Sequence, residues 1–430
     1  MASSKERFIG LEWLRFFLGL YIVIFHTLHN YPSIRSWSGY VTDLGFFSTS
    51  TFFILSGFLL AHVYLNDQHE MREPARSFMT KRFANLYPIH IGSCLLAMAV
   101  SAGVGYLALT AQDAGTSLRF VLYDVNNDTG IVNPEALRHT MGDVELWFNV
   151  VLNVFMLHAW NPYYLTFNPP SWSISALFFF YLTFPFIAPR LMKIKRTRLA
   201  ILITNLVYLV PPLIVIAFTP FDMPETGILH RNPIIRLPEF IAGILLCAFY
   251  MQQKNAGKLL NLRGKLALVL YIAVCCLVAI WLLEHGRAWY YLLHNGLLLT
   301  AEMALIYLCV HIPTPSSERL TRFAGRLGGA SLPMFALHVP LYVIFSRSEQ
   351  ILKGEPSLCP DNLRLCLAAA GESSVWLYPV YLLLTVILCI LFQEQFVVRI
   401  RRWILSWMLP AAPVRNKTHA ERMADPQEPR

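Results

Sequence analysis

The sequence predicts an all-α membrane protein, a polytopic bundle of about ten spanning helices with both termini in the cytoplasm. Three observations predict it. Of 430 residues, 56% are hydrophobic and only 14% charged, where a soluble domain carries about 25% charged residues. Apolar stretches of about 18 residues or more, long enough to cross a hydrocarbon layer, recur along nearly the whole chain. The basic residues fall on alternate loops between them.

The stretches lie at 8–28, 44–62, 83–108, 172–189, 199–219, 236–252, 266–284, 289–311, 329–346 and 375–397. With the N-terminus inside, the inner loops hold Arg72, Arg76, Lys81 and Arg82, then Arg190, Lys193, Lys195, Arg196 and Arg198. Further inner loops hold Lys254, Lys258, Arg263 and Lys265, then Arg319, Arg322 and Arg326. The outer loops are poor in Lys and Arg, which is the positive-inside pattern at every crossing. The net charge of +9 therefore reads as membrane orientation and argues against a nucleic-acid partner; the expected partners are membrane lipids. Residues 143–160 are apolar enough to suggest another span, but counting it would throw the basic 190–198 loop outside. They also carry Glu145, Asn149, Asn153 and His158, which are costly in lipid. An interfacial or re-entrant helix over the outer mouth of the bundle is the better reading.

Lys5 and Arg7 precede the first apolar run and no small-residue cleavage site follows it, so the run is expected to stay as a span. Residues 1–408 read as one transmembrane domain, and 409–430 as a polar, disordered cytoplasmic tail. The outward loop 109–142, with Asp113, Asp124, Asp128, Glu135 and Arg138, is long enough to be functional. Cys94, Cys247, Cys275, Cys276, Cys309 and Cys389 lie in apolar stretches as packing residues. Cys359 and Cys366 share an outer loop, either as a disulfide or as two free thiols. No Cys or His spacing matches a metal site, and none is expected.

The first span contains Arg15 and His26, eleven residues apart. At about 100° per residue that is about three turns, so they share one face, ~16 Å apart along the axis. Glu12 sits one turn before Arg15 and can pair with it. Ionisable groups on one stripe of a membrane helix normally face a bundle interior or a water-filled cavity. One reading is a polar shaft in which Arg15 holds an anion and His26 acts as general base or acyl carrier. The other is an Arg reaching to the interface and a His bonded to a neighbouring backbone. Elsewhere Arg236 and Glu239 lie one turn apart, as an ion pair or a substrate contact. His338, followed by Pro340, is a buried hydrogen-bonded His or a site residue. Ser171 and Trp172 open a span, as cap and interfacial anchor or as substrate contacts, with Trp160, Tyr163 and Tyr164 also able to stack on a sugar. The string His62 to Asp67 matches a short H-x4-D acyltransferase motif by coincidence.

In order along the chain, these blocks resemble the membrane-bound acyltransferase 3 family, to which many bacterial sugar O-acyltransferases belong. Arg15 and His26 match its opening Arg, ten residues, His. Phe52 to Phe58 match its FFxLSGF block, and Arg82 to Pro88 its R-F-A-x-x-Y-P block. Residues 168–182 are similar to its SWSLSxExxFYL block, 232–246 to RLPEFLxG, and 331–341 to S-x6-H-x-P, while Glu394 stands where its last span carries Glu. Two positions depart: Leu177 stands in place of a usual Glu, and Glu12 in place of a usual Asp. The resemblance implies an O-acyltransferase with no permanently bound cofactor. It would take acyl-CoA, most simply acetyl-CoA, as donor, with its phosphates near Arg15 and Arg82. His26 would activate, with Glu12 and Arg15, a hydroxyl of a cell-surface or lipid-linked carbohydrate at a bacterial inner membrane. Ser171, Trp172, Arg236, Glu239 and His338 would form the substrate side. The rival readings are a transporter using Arg15 and His26 as a substrate or proton path, and an inactive acyltransferase-like scaffold, which Leu177 keeps open.

Overall fold

In hydrocarbon no water satisfies a backbone N–H or C=O, so a spanning segment must satisfy its own, and a helix of about 20 residues does so over some 30 Å. A computed structural model of the protein describes residues 6–107, 118–119, 121–123, 139–219, 223–258, 260–355, 357–359, 361–362, 365–366, 369 and 371–409. Helices α1 (Ile9–Thr27), α2 (Arg35–Thr42), α3 (Gly45–Tyr64) and α4 (Ala75–Leu107) come first. Strand β1 (Val121–Tyr123) then pairs antiparallel with β2 (Tyr164–Thr166), with α5 (Asp143–Val154) between them in sequence. Next are α6 (Trp172–Met192), α7 (Thr197–Phe218), α8 (Glu225–Arg231), α9 (Pro233–Asn255) and α10 (Leu262–Leu283). The chain ends with α11 (Arg287–Leu292), α12 (Leu299–Val310), α13 (Glu318–Gly329), α14 (Ser331–Lys353), α15 (Tyr378–Leu391) and α16 (Val398–Met408).

Among the described residues, eight helical segments are long and apolar enough to cross a membrane, and two bent pairs bring the number to ten. The expected all-α polytopic bundle is therefore the fold. α7 and α10 present Leu206, Phe218, Leu270 and Leu277 outward, an apolar surface that lipid, not water, accommodates. α5 is only 12 residues long, about 18 Å, and cannot span. It buries Asn149 and Asn153 and exposes Val144, Trp147 and Phe148, as an interfacial helix does.

Three details differ from the sequence reading. The basic loop before α14 folds into α13, which buries Ala324, Leu327 and Gly328 and meets α14 at a 51° bend. The last span runs on through a π-type turn, Phe392–Val397, into α16, where Trp403 and Trp407 are exposed. The span 289–311 is broken rather than continuous, by a π-type turn at Leu293–Leu297 in which Gly296 takes φ +130°, a value open to Gly but strained for other residues. Such a break frees carbonyls at membrane depth, which must find other donors. Tyr208 Oη donates to the His294 carbonyl at 3.2 Å, Arg236 Nη1 to the same carbonyl at 3.0 Å, and Asn205 Nδ2 to the Gly296 carbonyl at 3.2 Å.

α3 is the central helix, buried nearly all round, and its closest neighbour is α9. The backbones touch at two glycines. A Cβ on Gly57 would lie 2.2 Å from the Phe240 carbonyl, and one on Gly243 would lie 1.9 Å from the Ile54 carbonyl. Small residues permit this approach, which supplies the packing that holds membrane helices together. Gly243→Ala is expected to push the pair apart and destabilise the protein by about 1–3 kcal/mol, read as a fall in melting temperature of the purified protein; an unchanged melt would refute the tight crossing.

Cys359 and Cys366 form a disulfide, and among the described residues Cys94, Cys247, Cys275, Cys276, Cys309 and Cys389 stand outside any disulfide. Asp113, Asp124, Asp128, Glu135 and Arg138 of the outer loop, and the tail beyond residue 409, lie outside the described residues.

Candidate active site

α1 enters from the end that carries the basic loops, so Glu12 and Arg15 stand near that end and His26 near the other. The structure places them in two cavities instead of one shaft. The cavity at the basic end, about 340 Å³, is lined by Glu12 and Arg15 of α1, Tyr64 at the end of α3, Arg82 and Asn85 of α4, and Tyr181 of α6. Glu12 lies 3.4 Å from Arg15, and Arg82 donates to the Tyr64 hydroxyl. Two guanidinium groups against one carboxylate leave this cavity net positive.

The cavity at the far end, about 270 Å³, is lined by His26, Phe46 and Thr49, by Trp172 at the start of α6, and by His230, Tyr290 and His294. The two cavities share no lining residue. Between them lie buried Leu18 and Ile22 of α1 and the Phe52 and Phe335 rings, 5.0 Å apart. Glu12 and Arg15 are thus not brought to His26, and a polar stripe along one helix face does not become a continuous channel. The reason is packing: the residues of that face between Arg15 and His26 are apolar and meet α3 and α14.

His26 stacks on His338 of α14, ring centroids 5.0 Å apart. His338 Nδ1 donates to the Met334 carbonyl at 2.8 Å, and its buried Nε2 has no hydrogen-bond partner among the described residues. Pro340 lacks the N–H that would bond the Ala336 carbonyl; Asn168 Nδ2 takes that carbonyl instead, at 2.9 Å. The NPP turn before α6 therefore fixes the helix that carries His338.

Ser171 does not cap α6 with its side chain. Its hydroxyl donates to the Asn168 carbonyl at 2.7 Å, so the 3.1 Å contact to His158 Nε2 has the His as donor. His158 stacks on His90, centroids 4.9 Å apart. Ser171 is buried and lines neither cavity, although its neighbours Pro170 and Trp172 line the far one. Trp172 is also not an interfacial anchor: it is buried, lines the far cavity, and meets the His230 ring at 4.9 Å.

Arg236 and Glu239 are both fully buried and 2.8 Å apart. Arg236 also reaches Ser50 Oγ at 2.9 Å and the His294 ring, with Nη1 2.5 Å from Nδ1. The pair lines neither cavity and acts by holding His294 at the wall of the far one. Glu394, at the basic end, accepts from Arg326 of α13 at 2.6 and 2.9 Å. His62 donates to the Glu6 carbonyl at 3.1 Å, an N-terminal fastening. Outside the spans, burial tends to raise the Glu145 carboxyl, but hydrogen bonds from Tyr164 and His139 outweigh it and hold its pKa below the usual value.

Leu177 is fully buried in the main apolar core, on α6 between Trp172 of one cavity and Tyr181 of the other. Leu177→Glu would put an unpartnered carboxyl there and is expected to destabilise the protein by about 1–3 kcal/mol; a melt at or above that of the wild type would show that a partner awaits it.

His230, His294 and the buried Glu302, which lies within electrostatic reach of Arg236 and Glu239, are absent from the sequence-based set. His294-Asn295-Gly296 inside an apolar stretch is the signal that points to a broken span. Among the described residues no group of three His, Cys, Asp or Glu side chains is placed to hold a metal ion.

Compared with known proteins, residues 8–394 match the family model described as an acyltransferase domain. The chain is 25% identical over 262 residues to the acyltransferase MdmB of Streptomyces mycarofaciens, covering 57% of this chain and 58% of that protein. It is 30% identical over 179 residues to protein 2 in the picA locus of Rhizobium radiobacter, covering 40% of this chain and 78% of that protein. No solved structure matches it.

Proposed function

The chain belongs to the acyltransferase 3 family, and from that premise we propose that it is a membrane O-acyltransferase that moves an acyl group from acyl-CoA to a carbohydrate hydroxyl. One observation carries the reading: a net-positive cavity at the basic end and a His-lined, aromatic cavity at the far end lie on the same helix, α1. Arg15 and Arg82 suit the phosphates of the donor, since guanidinium forks match phosphate oxygens. To bring the thioester over the ~16 Å to His26, the pantetheine arm must part the apolar layer of Leu18, Ile22, Phe52 and Phe335 that closes the way between the two cavities. Trp172 and Tyr290 offer ring faces for a sugar, and His230 and His294 offer polar contacts around it.

His26 takes the proton of the acceptor hydroxyl as its oxygen attacks the thioester carbonyl. The tetrahedral intermediate collapses, the C–S bond breaks, the ester C–O bond remains, and the His26 proton passes to the departing CoA thiolate. His338, stacked on His26, is a positioning residue. The basic loops support a donor side in the cytoplasm and an acceptor side outside, and a bacterial inner membrane is the proposed setting.

The test uses full-length protein in lipid nanodiscs with labelled acyl-CoA and glycan extracted from the host membrane. The expected result is release of free CoA thiol with transfer of label to the glycan. Arg15→Ala and Arg82→Ala are expected to raise KM for acyl-CoA at least tenfold, about 1.4 kcal/mol of lost binding, with a smaller change in kcat. Absence of thiol release with every acceptor would overturn the acyl-transfer reading; an unchanged KM would overturn the phosphate site.

A further inference from the structure

The far cavity has a neighbour. A second chamber of about 160 Å³ is walled by Ala97 and Val100 of α4, Val339, Pro340 and Val343 of α14, and Leu118. It shares Leu122, Leu165, Pro169 and Val339 with the lining of the His26 cavity, so the two adjoin along these residues. Their chemistry differs. The His26 cavity carries three His side chains and several aromatic rings, whereas the side chamber is mostly aliphatic, with one ring, Phe167, and with Ser101, Thr166 and Asn168 as its polar side chains. Asn168 gives both of its amide hydrogens to Ser93 and to the Ala336 carbonyl. Its buried Oδ1 has no partner among the described residues and could accept from one hydroxyl, but a sugar with several hydroxyls would lose water and leave most of them unpaired. An alkyl chain would lose nothing.

The direction of the donor decides which alkyl chain. With CoA phosphates at Arg15 and Arg82 and the thioester at His26, the acyl tail is the leading end of the molecule. It must lie beyond His26, away from the basic end, where the side chamber stands. We propose that this chamber holds the alkyl tail of the transferred acyl group, so that the enzyme accepts chains longer than acetyl. A dry apolar cavity of ~150 Å³ takes a benzene-sized guest, so the chamber has room for about six tail carbons. The proposal rests on the acyl-transfer reading, and it names the class of acyl group that reading leaves open.

The test is a chain-length series with full-length protein in nanodiscs: kcat/KM for acetyl-, butyryl-, hexanoyl- and dodecanoyl-CoA. Each methylene buried in the chamber is worth several-fold, so kcat/KM is expected to rise from acetyl to hexanoyl and to fall by dodecanoyl. Val100→Phe and Val343→Phe, made separately to fill the chamber from two helices, are expected to lower the hexanoyl-to-acetyl ratio more than tenfold. A ratio, not an absolute rate, is read, so partial misfolding does not imitate the effect. A wild type that prefers acetyl, or a ratio unmoved in both variants, sinks the side chamber while leaving acyl transfer intact. No thiol release at any chain length overturns the acyl-transfer reading and the side chamber with it.

Discussion

His26→Ala is expected to lower kcat for acyl transfer by 10²- to 10⁴-fold, the usual contribution of a positioned general base, while KM for acyl-CoA changes little. The separation of the cavities makes this a sharp expectation. Arg15 and Arg82 line a different cavity from His26, with buried Leu18 and Ile22 between. On the proposed reading, donor phosphates at Arg15 and Arg82 would keep their contacts when the imidazole is removed. His26 packs on Phe25 at 4.5 Å and His338 at 5.0 Å, so His26→Gln, closer in volume, separates lost chemistry from lost packing. Both variants should melt near the wild type and both should lose turnover. Turnover within threefold of wild type in either would remove His26 from the reaction.

Glu239→Ala should have the largest effect on the folded state itself. Arg236 and Glu239 are 0% exposed and 2.8 Å apart, and removing one partner of a buried pair costs about 3–5 kcal/mol because the other charge is stranded. That is a large share of a typical stability of about 5–15 kcal/mol, so little folded protein should be recovered from membranes. Arg236→Met with Glu239→Leu removes both charges and is expected to recover part of the loss. It should not recover all of it, because Arg236 also bonds the His294 carbonyl and Ser50. The check is the yield and melting of the two single variants and the double. A double variant less stable than either single would show that the pair is not the unit that matters.

The spans were legible in the sequence because lipid leaves few alternatives: length and apolarity decide what crosses, and Lys and Arg decide which way. The same loop charges told the α5 segment from a span. The amphipathic helix α13 was also written there, in Leu320, Phe323, Ala324 and Leu327 at i, i+3, i+4 and i+7, beneath a charge pattern that reads first as a basic loop. The site was legible only in part. Spacing on one helix puts Arg15 and His26 on a common face, but what that face meets is decided by α3 and α14, and they close it with Phe52 and Phe335. His230 and His294 come from different segments, α8 and the turn at Leu293–Leu297, and no periodicity within one segment reveals their approach, 5.3 Å between rings. The surroundings of Ser171 and Trp172 also depend on partners in other segments, His158 thirteen residues before Ser171 and His230 far along the chain.

The layer of Leu18, Ile22, Phe52 and Phe335 has a consequence for the cell that has nothing to do with acyl groups. A protein that hollows a bilayer from opposite ends leaves only this layer as the permeability barrier for protons and small ions. If a donor arm crosses it as proposed, its thickness limits how wide that passage can be made without dissipating the ion gradient across the membrane. An enzyme of this design must open for its substrate no further than the arm itself can plug.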